Sequence, residues 1–210
     1  MTTEKIYTML CLGDSYTIGE AVEENERFPL QAVDMLKKKG IYFEKPTIIA
    51  KTGWTTDELS AAVKDVKLKG TYDVVTLLIG VNNQYRGRDL ENYRKEFTAL
   101  METALNYSGE KNYKVYVLSI PDWGPTPFGS KDKRSAKKIG EEIDEFNSMN
   151  YVICSKYEAN YVNITPVSRE AKNDATLITA DGLHPSGKMY KVWAQKLAEE
   201  IEGTFKREPH

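Results

Sequence analysis

Short apolar runs alternate with amphipathic stretches along most of the chain. Five runs are apolar enough to be buried strands, at residues 6–12, 47–50, 73–80, 114–120 and 161–164. In the stretches between and after them, apolar residues recur every three or four positions, as they do on one face of a helix. These stretches lie at residues 28–40, 55–70, 90–106, 135–158 and 185–202. The pattern predicts five strands that alternate with helices.

The strand runs are rich in Val, Ile and Leu at successive positions, which indicates that both faces of the sheet are covered. Strands of this kind, joined by helical crossovers, are typical of a parallel sheet between two layers of helices. We therefore expect an α/β fold, a three-layer α/β/α sandwich with a five-stranded parallel sheet. A chain of 210 residues is of ordinary size for one domain, so we expect a single domain over residues 1–210.

Composition narrows the function classes. The chain is 40% hydrophobic and 29% charged, with a formal net charge of −2, so no basic surface for nucleic acid is expected. No apolar run approaches the ~20 residues that span a bilayer, and the first residues do not resemble a secretory signal. We expect a cytoplasmic protein without a membrane span. The two cysteines, Cys11 and Cys154, fit buried free thiols better than a disulfide. The oligomeric state stays open.

Four turns that follow strands or precede the last helix hold the residues with chemical potential. They are Gly13-Asp14-Ser15, the turn around Gly53, residues 80–83, and residues 181–184. In a parallel sheet the carboxyl ends of the strands meet at one edge, where ligands bind. We therefore expect these four turns to lie close together.

Ser15 is the candidate nucleophile among them, and a serine hydroxyl needs a base and a group that orients that base. The chain has two histidines, and His210 is its last residue, which we expect to be frayed. His184 is therefore the candidate base and acid, and Asp181, three residues earlier, can hold its second ring nitrogen. A developing oxyanion could bind the N–H of Ser15, the N–H of Gly53 and the side-chain amide of Asn82.

This order of motifs resembles that of the SGNH, or GDSL-type, hydrolase superfamily, and the resemblance covers essentially the whole chain. By that resemblance Ser15, Gly53, Asn82 and His184 are the four residues that name the superfamily, and Asp181 completes a catalytic triad. The resemblance implies a flavodoxin-like sandwich that hydrolyses small-molecule esters, including thioesters or O-acetyl groups. It implies no metal and no organic cofactor.

The chain departs from the family pattern at two positions. Tyr16 follows the serine where the family name has leucine, and Asn83 stands where many members have aspartate. An amide at position 83 brings no charge, so the support of the loop that carries Asn82 is expected to differ from that in those members.

Aromatic residues next to the proposed site are candidates for contact with substrate. The loop 121–131 contributes Trp123 and Phe128, and Tyr85 and Arg86 follow Asn82. We expect them to flank an open, shallow site for short acyl groups. The alternative is that the aromatic residues of the loop cover the core instead.

Each motif also has an ordinary structural explanation, and other functions stay open. A serine in a turn commonly caps a helix, Pro185 is favoured in the first helical turn after His184, and residues 82–83 could form an Asx turn. Catalysis by Cys11 and a metal site are disfavoured by position and by ligand number. The open alternatives are an acyltransferase that uses the same acyl-serine, and a non-catalytic phosphate- or nucleotide-binding module at residues 13–19.

Overall fold

A computed structural model of the protein describes residues 5–207. The strands in this part of the chain are, in order, β1 (Ile6–Tyr7), β2 (Met9–Asp14), β3 (Tyr42–Phe43), β4 (Thr47–Lys51), β5 (Val74–Leu78), β6 (Val115–Leu118) and β7 (Asn160–Val162). The central sheet has five strands in the order β4-β2-β5-β6-β7, and every neighbouring pair is parallel. The structure confirms the predicted five-stranded parallel sheet.

The helices are α1 (Ser15–Ile18), α2 (Phe28–Lys37), α3 (Thr56–Val66), α4 (Val81–Tyr85), α5 (Leu90–Tyr107), α6 (Ala136–Lys156), α7 (Thr165–Arg169) and α8 (Gly187–Arg207). Helix α2 packs on α8, whereas α5 packs on both α3 and α6. The two helix groups cover the sheet and complete the α/β/α sandwich. Among the residues described, no helix combines the length and the apolar character needed to cross a membrane.

The strand order places a crevice at the centre of the sheet. The chain runs from β2 to β4 on one side and then crosses to β5 on the other side. Adjacent loops leave the sheet in opposite directions at such a reversal, and ligands bind there in flavodoxin-like sheets. Strands β2 and β5 are buried at every position, so the turns that follow them have a rigid base.

The first predicted strand, residues 6–12, is wrong in its extent because it is divided at Thr8. Residues 6–7 pair with β3, a strand that the apolar pattern does not predict. The Asp73 carboxylate accepts the Thr8 N–H at 3.0 Å, and the Thr8 carbonyl accepts the N–H groups of Asp73 and Val74. These bonds use the backbone groups of Thr8 and separate the small sheet from the central one.

Local signals fixed the start of α3 as predicted. Thr55 is the N-cap, and Glu58 accepts the Thr55 N–H at 2.9 Å in a capping box. The end of α3 lies earlier than the predicted Gly70, because Lys67 takes a left-handed conformation with φ 48°. Both cysteines are buried and unpaired, as predicted. Burial raises the pKa of Cys11 to about 12, so its thiol stays protonated.

Candidate active site

Ser15 is the first residue of α1 and directly follows β2. The carboxylate of Asp14 accepts the Tyr16 N–H at 3.0 Å and caps the helix. A Cβ at Gly13 would lie 2.1 Å from the Thr17 hydroxyl oxygen and 2.5 Å from the Leu78 carbonyl oxygen. Only glycine therefore lets the strand turn into the helix at this point. The Ser15 N–H stands in the first helical turn, where no intrahelical acceptor exists.

His184 lies in a loop that is closed by its own backbone. Ile178 and Pro185 form an antiparallel bridge, and the Thr179 N–H donates to the His184 carbonyl at 2.9 Å. Pro185 belongs to this bridge, so α8 begins at Gly187, two residues after the predicted start at Pro185. The closed loop leaves His184 only 7% exposed at the crevice.

The Asp181 carboxylate organises this loop with one oxygen and the imidazole with the other. Its Oδ1 accepts the N–H groups of Leu183 and His184 at 2.8 and 2.9 Å and the Thr179 hydroxyl at 2.8 Å. Its Oδ2 lies 2.6 Å from His184 Nδ1. Partial burial opposes ionisation of Asp181, but the hydrogen bonds from His184 and Leu183 outweigh it and lower the pKa to about 2.

These groups form a continuous hydrogen-bonded line that ends at Ser15. His184 Nε2 lies 3.0 Å from Ser15 Oγ, although the two residues are 169 positions apart. An ionised carboxylate can only accept, so Nδ1 of the imidazole carries the proton and donates to Asp181. In the neutral imidazole, Nε2 then presents its lone pair to the serine hydroxyl. The Tyr16 ring packs against the imidazole with its centroid 5.3 Å away.

Gly53 and Asn82 lie beside this line on the turns after β4 and β5. Gly53 has φ +84°, a conformation that L side chains rarely adopt. The Asn82 amide nitrogen donates to the Trp54 carbonyl at 3.0 Å and lies 3.4 Å from Asp14 Oδ2. The second contact is long and therefore weak, so its N–H is the one that a substrate oxygen at the crevice could take over.

The departure at Asn83 is accommodated by an amide-specific pair of bonds. The buried Asn83 accepts the Thr56 N–H at 3.1 Å and donates to the Thr56 hydroxyl oxygen at 2.7 Å. An aspartate carboxylate at this position could only accept hydrogen bonds. The amide lacks its charge but can also donate, and it uses that donor on the Thr56 hydroxyl oxygen. The loop that carries Asn82 is thereby anchored to α3.

Asp14 supports the same loop from below, a role that the sequence did not indicate. Its side chain is fully buried. This burial raises its pKa to about 7, against the opposing effect of the hydrogen bonds from Tyr16 and Asn82. No local pattern marks the residue before a helix as buried, and only the packing of β2 between β4 and β5 makes it so.

A pocket of about 120 Å³ opens at the serine. Its lining is mainly apolar and consists of Ser15, Tyr16, Thr52, Gly53, Val81, Asn82, Tyr85, Trp123, Phe128, Leu183 and His184. Three of the four predicted contact residues are among them. Arg86 is not, because its guanidinium turns away to the Gly53 carbonyl at 2.7 Å. The sequence analysis did not propose Thr52, Val81 or Leu183 as site residues. Each of them is the direct neighbour of a residue that it did propose, namely Gly53, Asn82 and His184.

Trp123 of the loop 121–131 belongs to both the pocket wall and the core. It lines the pocket, yet it is only 2% exposed. Its indole N–H donates to Gln84 at 2.8 Å, and its ring packs edge-on against Tyr85 and Phe128. The Arg134 guanidinium lies 5.2 Å from the ring centroid. The pocket wall is therefore part of the core.

Two further sequence expectations concern histidine and metals. His210 lies outside the described residues, so the expectation of a frayed tail stays a prediction. Within residues 5–207, no three side chains of His, Cys, Asp or Glu are grouped so that they could hold a metal ion.

Comparison with known proteins independently supports the resemblance to GDSL-type hydrolases. The model of the GDSL-like Lipase/Acylhydrolase family matches residues 11–192. A multidomain esterase from Ruminococcus flavefaciens is 28% identical over 138 residues, which cover 64% of this chain and 16% of that protein. The chain thus spans less than a fifth of the length of this relative.

Solved structures share the fold at low identity. The crystal structure of TesA matches with a TM-score of 0.73 and 14% identity, over 94% of this chain and 99% of that one. A lipase/acylhydrolase from Enterococcus faecalis matches with a TM-score of 0.67 and 18% identity, over 94% and 96% of the two chains. The family match includes every residue that lines the pocket. The chain therefore belongs to the GDSL-like lipase/acylhydrolase family, a family of carboxylic ester hydrolases.

Proposed function

We propose that the protein is a serine esterase that cleaves carboxylic esters of small molecules through an acyl-enzyme on Ser15. The observation that carries this proposal is the line from Asp181 through His184 to Ser15, with distances of 2.6 and 3.0 Å, at the mouth of a pocket. Family membership supports the reaction class, and the geometry supports the individual roles.

In the first half-reaction Ser15 Oγ attacks the ester carbonyl while His184 Nε2 takes the hydroxyl proton. The imidazolium that forms is stabilised by Asp181, whose low pKa keeps it charged. The bond between the former carbonyl carbon and the alcohol oxygen then breaks, and the imidazolium gives its proton to the leaving alkoxide. An acyl ester on Ser15 and a free alcohol result.

In the second half-reaction a water molecule takes the place of the alcohol. His184 removes a proton from the water, which attacks the acyl carbonyl, and Ser15 leaves with that proton. The products are a carboxylic acid and the regenerated serine. No redox step or additional group is needed for this sequence of bonds.

Both steps pass through a tetrahedral oxyanion. Three residues that line the pocket offer N–H donors for this oxyanion: Ser15 and Gly53 through the backbone, and Asn82 through its side-chain amide. Preorganised donors of this kind act on charge that develops only in the transition state. The bond to the Trp54 carbonyl holds the Asn82 amide in place, and the long contact with Asp14 is the one that the oxyanion would replace.

Asn82→Ala should lower kcat by roughly 10²–10³, the usual effect of a lost oxyanion donor. KM should change much less, because the donor strengthens its bond only as charge develops on the oxygen. Steady-state hydrolysis of p-nitrophenyl acetate measures both constants. Asn106→Ala, at an exposed site on α5, is the control. A variant that raises KM alone would make Asn82 a substrate-binding residue.

A panel of p-nitrophenyl esters from acetyl to dodecanoyl, assayed with the wild-type protein and with Ser15→Ala, tests the proposed function directly. Activity that depends on Ser15 and a mass increase of one acyl group on the peptide that contains Ser15 would support it. Equal rates in the wild-type protein and in Ser15→Ala would refute the assignment of Ser15 as the nucleophile.

The pocket volume of about 120 Å³ is well below the ~300–1,000 Å³ of typical ligand pockets. We therefore expect acetyl to butyryl esters to react faster than esters with twelve or more carbons. Trp123→Ala is a poor probe of this, since the loss of a buried Trp costs about 3–5 kcal/mol of stability. The half-buried Phe128 is the better target.

Phe128→Ala should enlarge the pocket and raise the octanoyl-to-acetyl ratio of kcat/KM by about tenfold, the scale of a few methylene contacts. The ester panel measures the ratio, and thermal unfolding measures stability. Tyr151→Ala removes a 57% exposed aromatic that does not line the pocket, and it should leave the ratio unchanged. An unchanged ratio in Phe128→Ala would remove this side chain from the acyl site.

Acyl transfer is the second candidate, because it shares the acyl-serine and differs only in the acceptor. The same enzyme assayed with added alcohol would release a new ester instead of the acid. Thioesters and O-acetyl groups are further substrates that the same chemistry accepts. A phosphate-binding role for residues 13–19 is disfavoured, because the Asp14 carboxylate occupies the N-terminus of α1.

A further inference from the structure

The backbone of the turn at residues 53–56 is held at every residue by a side chain. Three of these side chains belong to α4 and its C-cap: Asn82 donates to the Trp54 carbonyl, Asn83 accepts the Thr56 N–H, and Arg86 donates to the Gly53 carbonyl. At the fourth residue, the Glu58 carboxylate accepts the Thr55 N–H. The turn after β4 and the turn after β5 therefore form one unit.

Gly53 is the residue of this unit whose orientation is least determined by its own sequence. The Trp54 N–H donates to the Lys51 carbonyl at 3.2 Å and closes a β-turn with Gly53 in its third position. The Gly53 N–H belongs to the central peptide of that turn, and its direction differs between turn types. Glycine populates several of the required conformations with little cost, so the turn needs an outside contact to fix this N–H.

Arg86 contacts the next peptide, between Gly53 and Trp54, and the two backbone angles of Gly53 relate that peptide to the Gly53 N–H. Its Nη2 donates to the Gly53 carbonyl at 2.7 Å, and its Nη1 lies 3.6 Å from Glu58. The same Nη2 atom lies 3.7 Å from the position that a Cβ on Gly53 would occupy. The guanidinium thus spans the carbonyl of the turn and the first turn of α3, a rigid element. Both of these contacts lie within the protein, and Arg86 is absent from the pocket lining.

We propose that Arg86 is a positioning residue for the oxyanion site: it holds the Gly53 carbonyl, and thereby restricts the backbone angles of Gly53 so that its N–H points at the developing oxyanion. The inference rests on the proposed function and assigns Arg86 a role different from the substrate contact that the sequence predicted. It acts through Gly53 and does not touch the substrate.

Arg86→Met tests the inference, because it removes all donors and keeps an unbranched side chain. For p-nitrophenyl acetate we expect kcat to fall roughly tenfold, less than for a 1 Å misplacement of reacting groups, with KM within about twofold of wild type. The inhibition constant of 1,1,1-trifluoroacetone, whose serine adduct carries an oxyanion, should rise by the same factor as kcat falls. Arg86→Lys keeps a charged donor and should recover part of both losses.

Arg88→Met is the matched control. Arg88 lies in the same loop as Arg86, between α4 and α5. It forms an ion pair at 2.5 Å with Asp57, which stands beside Glu58 in the first turn of α3. It should keep wild-type kcat and the wild-type inhibition constant. Equal losses in Arg86→Met and Arg88→Met would overturn the inference, because the effect would then come from the charge or stability of the loop. A rise in KM alone would also overturn it and make Arg86 a substrate contact.

Two measurements keep the outcomes separate. Thermal unfolding of each variant identifies a folding defect. If Arg86→Met does not fold, Arg86→Lys is measured instead, and a fall in kcat matched by an equal rise in the inhibition constant supports the inference. Ser15→Ala in the same assay reports on the proposed function itself. An inactive Ser15→Ala with a fully active Arg86→Met refutes only the role of Arg86, whereas an active Ser15→Ala refutes the proposed function.

Discussion

Ser15→Ala and His184→Ala should each lower ester hydrolysis by roughly 10⁴-fold or more, because nucleophile and base act as one unit. For the same reason the double variant should be little worse than either single one. The measurement is kcat/KM for p-nitrophenyl acetate, with the single and double variants compared as a cycle. Multiplication of the two losses would show that the residues act independently and would contradict the hydrogen bond of 3.0 Å between them.

Folding must be intact for these losses to be informative. Ser15 is small, so its replacement leaves little empty space at the crevice. Circular dichroism and thermal unfolding should match those of the wild type. Ser155→Ala, at an exposed position of α6, is the matched serine control and should keep full activity. Turnover near the wild-type level in Ser15→Ala would exclude this serine as the nucleophile.

Asp181→Asn should lower kcat by about 10³-fold while the loop keeps its shape. The amide oxygen can still accept the N–H groups of Leu183 and His184, but the amide nitrogen would face His184 Nδ1 and favour the wrong tautomer. The loss should be smaller than that for Ser15, because the carboxylate is one-third exposed and water can partly replace it. Steady-state kinetics between pH 5 and 9 measure the effect.

The pH range follows from the low pKa of Asp181, which is lowered from 3.8 to about 2. The group stays ionised throughout the assay range, so its replacement should matter at every pH. Its contribution to folding stability is present above pH 3.8 and is lost as the pH falls through 2. Asp174→Asn is the control, since its pKa is also about 2 through bonds to Lys188 and Thr176. An Asp181→Asn rate equal to wild type would leave a Ser–His pair without an orienting acid.

The sequence by itself determined the sheet and the location of the candidate site. Continuous apolar runs such as residues 73–80 have few structural alternatives, and their alternation with helices requires parallel strands. Parallel strands bring the turns at Ser15, Gly53 and Asn82 to one edge, and the loop that carries His184 returns to that edge before α8 begins. The single domain over residues 1–210 and the cytoplasmic location stay predictions, because nothing in the fold tests them.

The tertiary structure decided what no local pattern contains. The first strand was divided at Thr8 by the carboxylate of Asp73, a residue 65 positions away. Arg86, predicted as a substrate contact, instead meets the carbonyl of Gly53, and the departure at Asn83 was resolved by a hydroxyl on α3. Asp14 gained its raised pKa from strands packed on both sides.

These outcomes share a physical reason. Periodicity and turn residues report on the preferences of neighbouring residues, which fix where strands and helices begin and which faces are apolar. A hydrogen bond between remote segments depends on the register of two strands and on distances of a few tenths of an ångström, which arise only when the layers pack. The sequence therefore determined which residues meet at the edge of the sheet, and packing determined which atoms of those residues bond to one another.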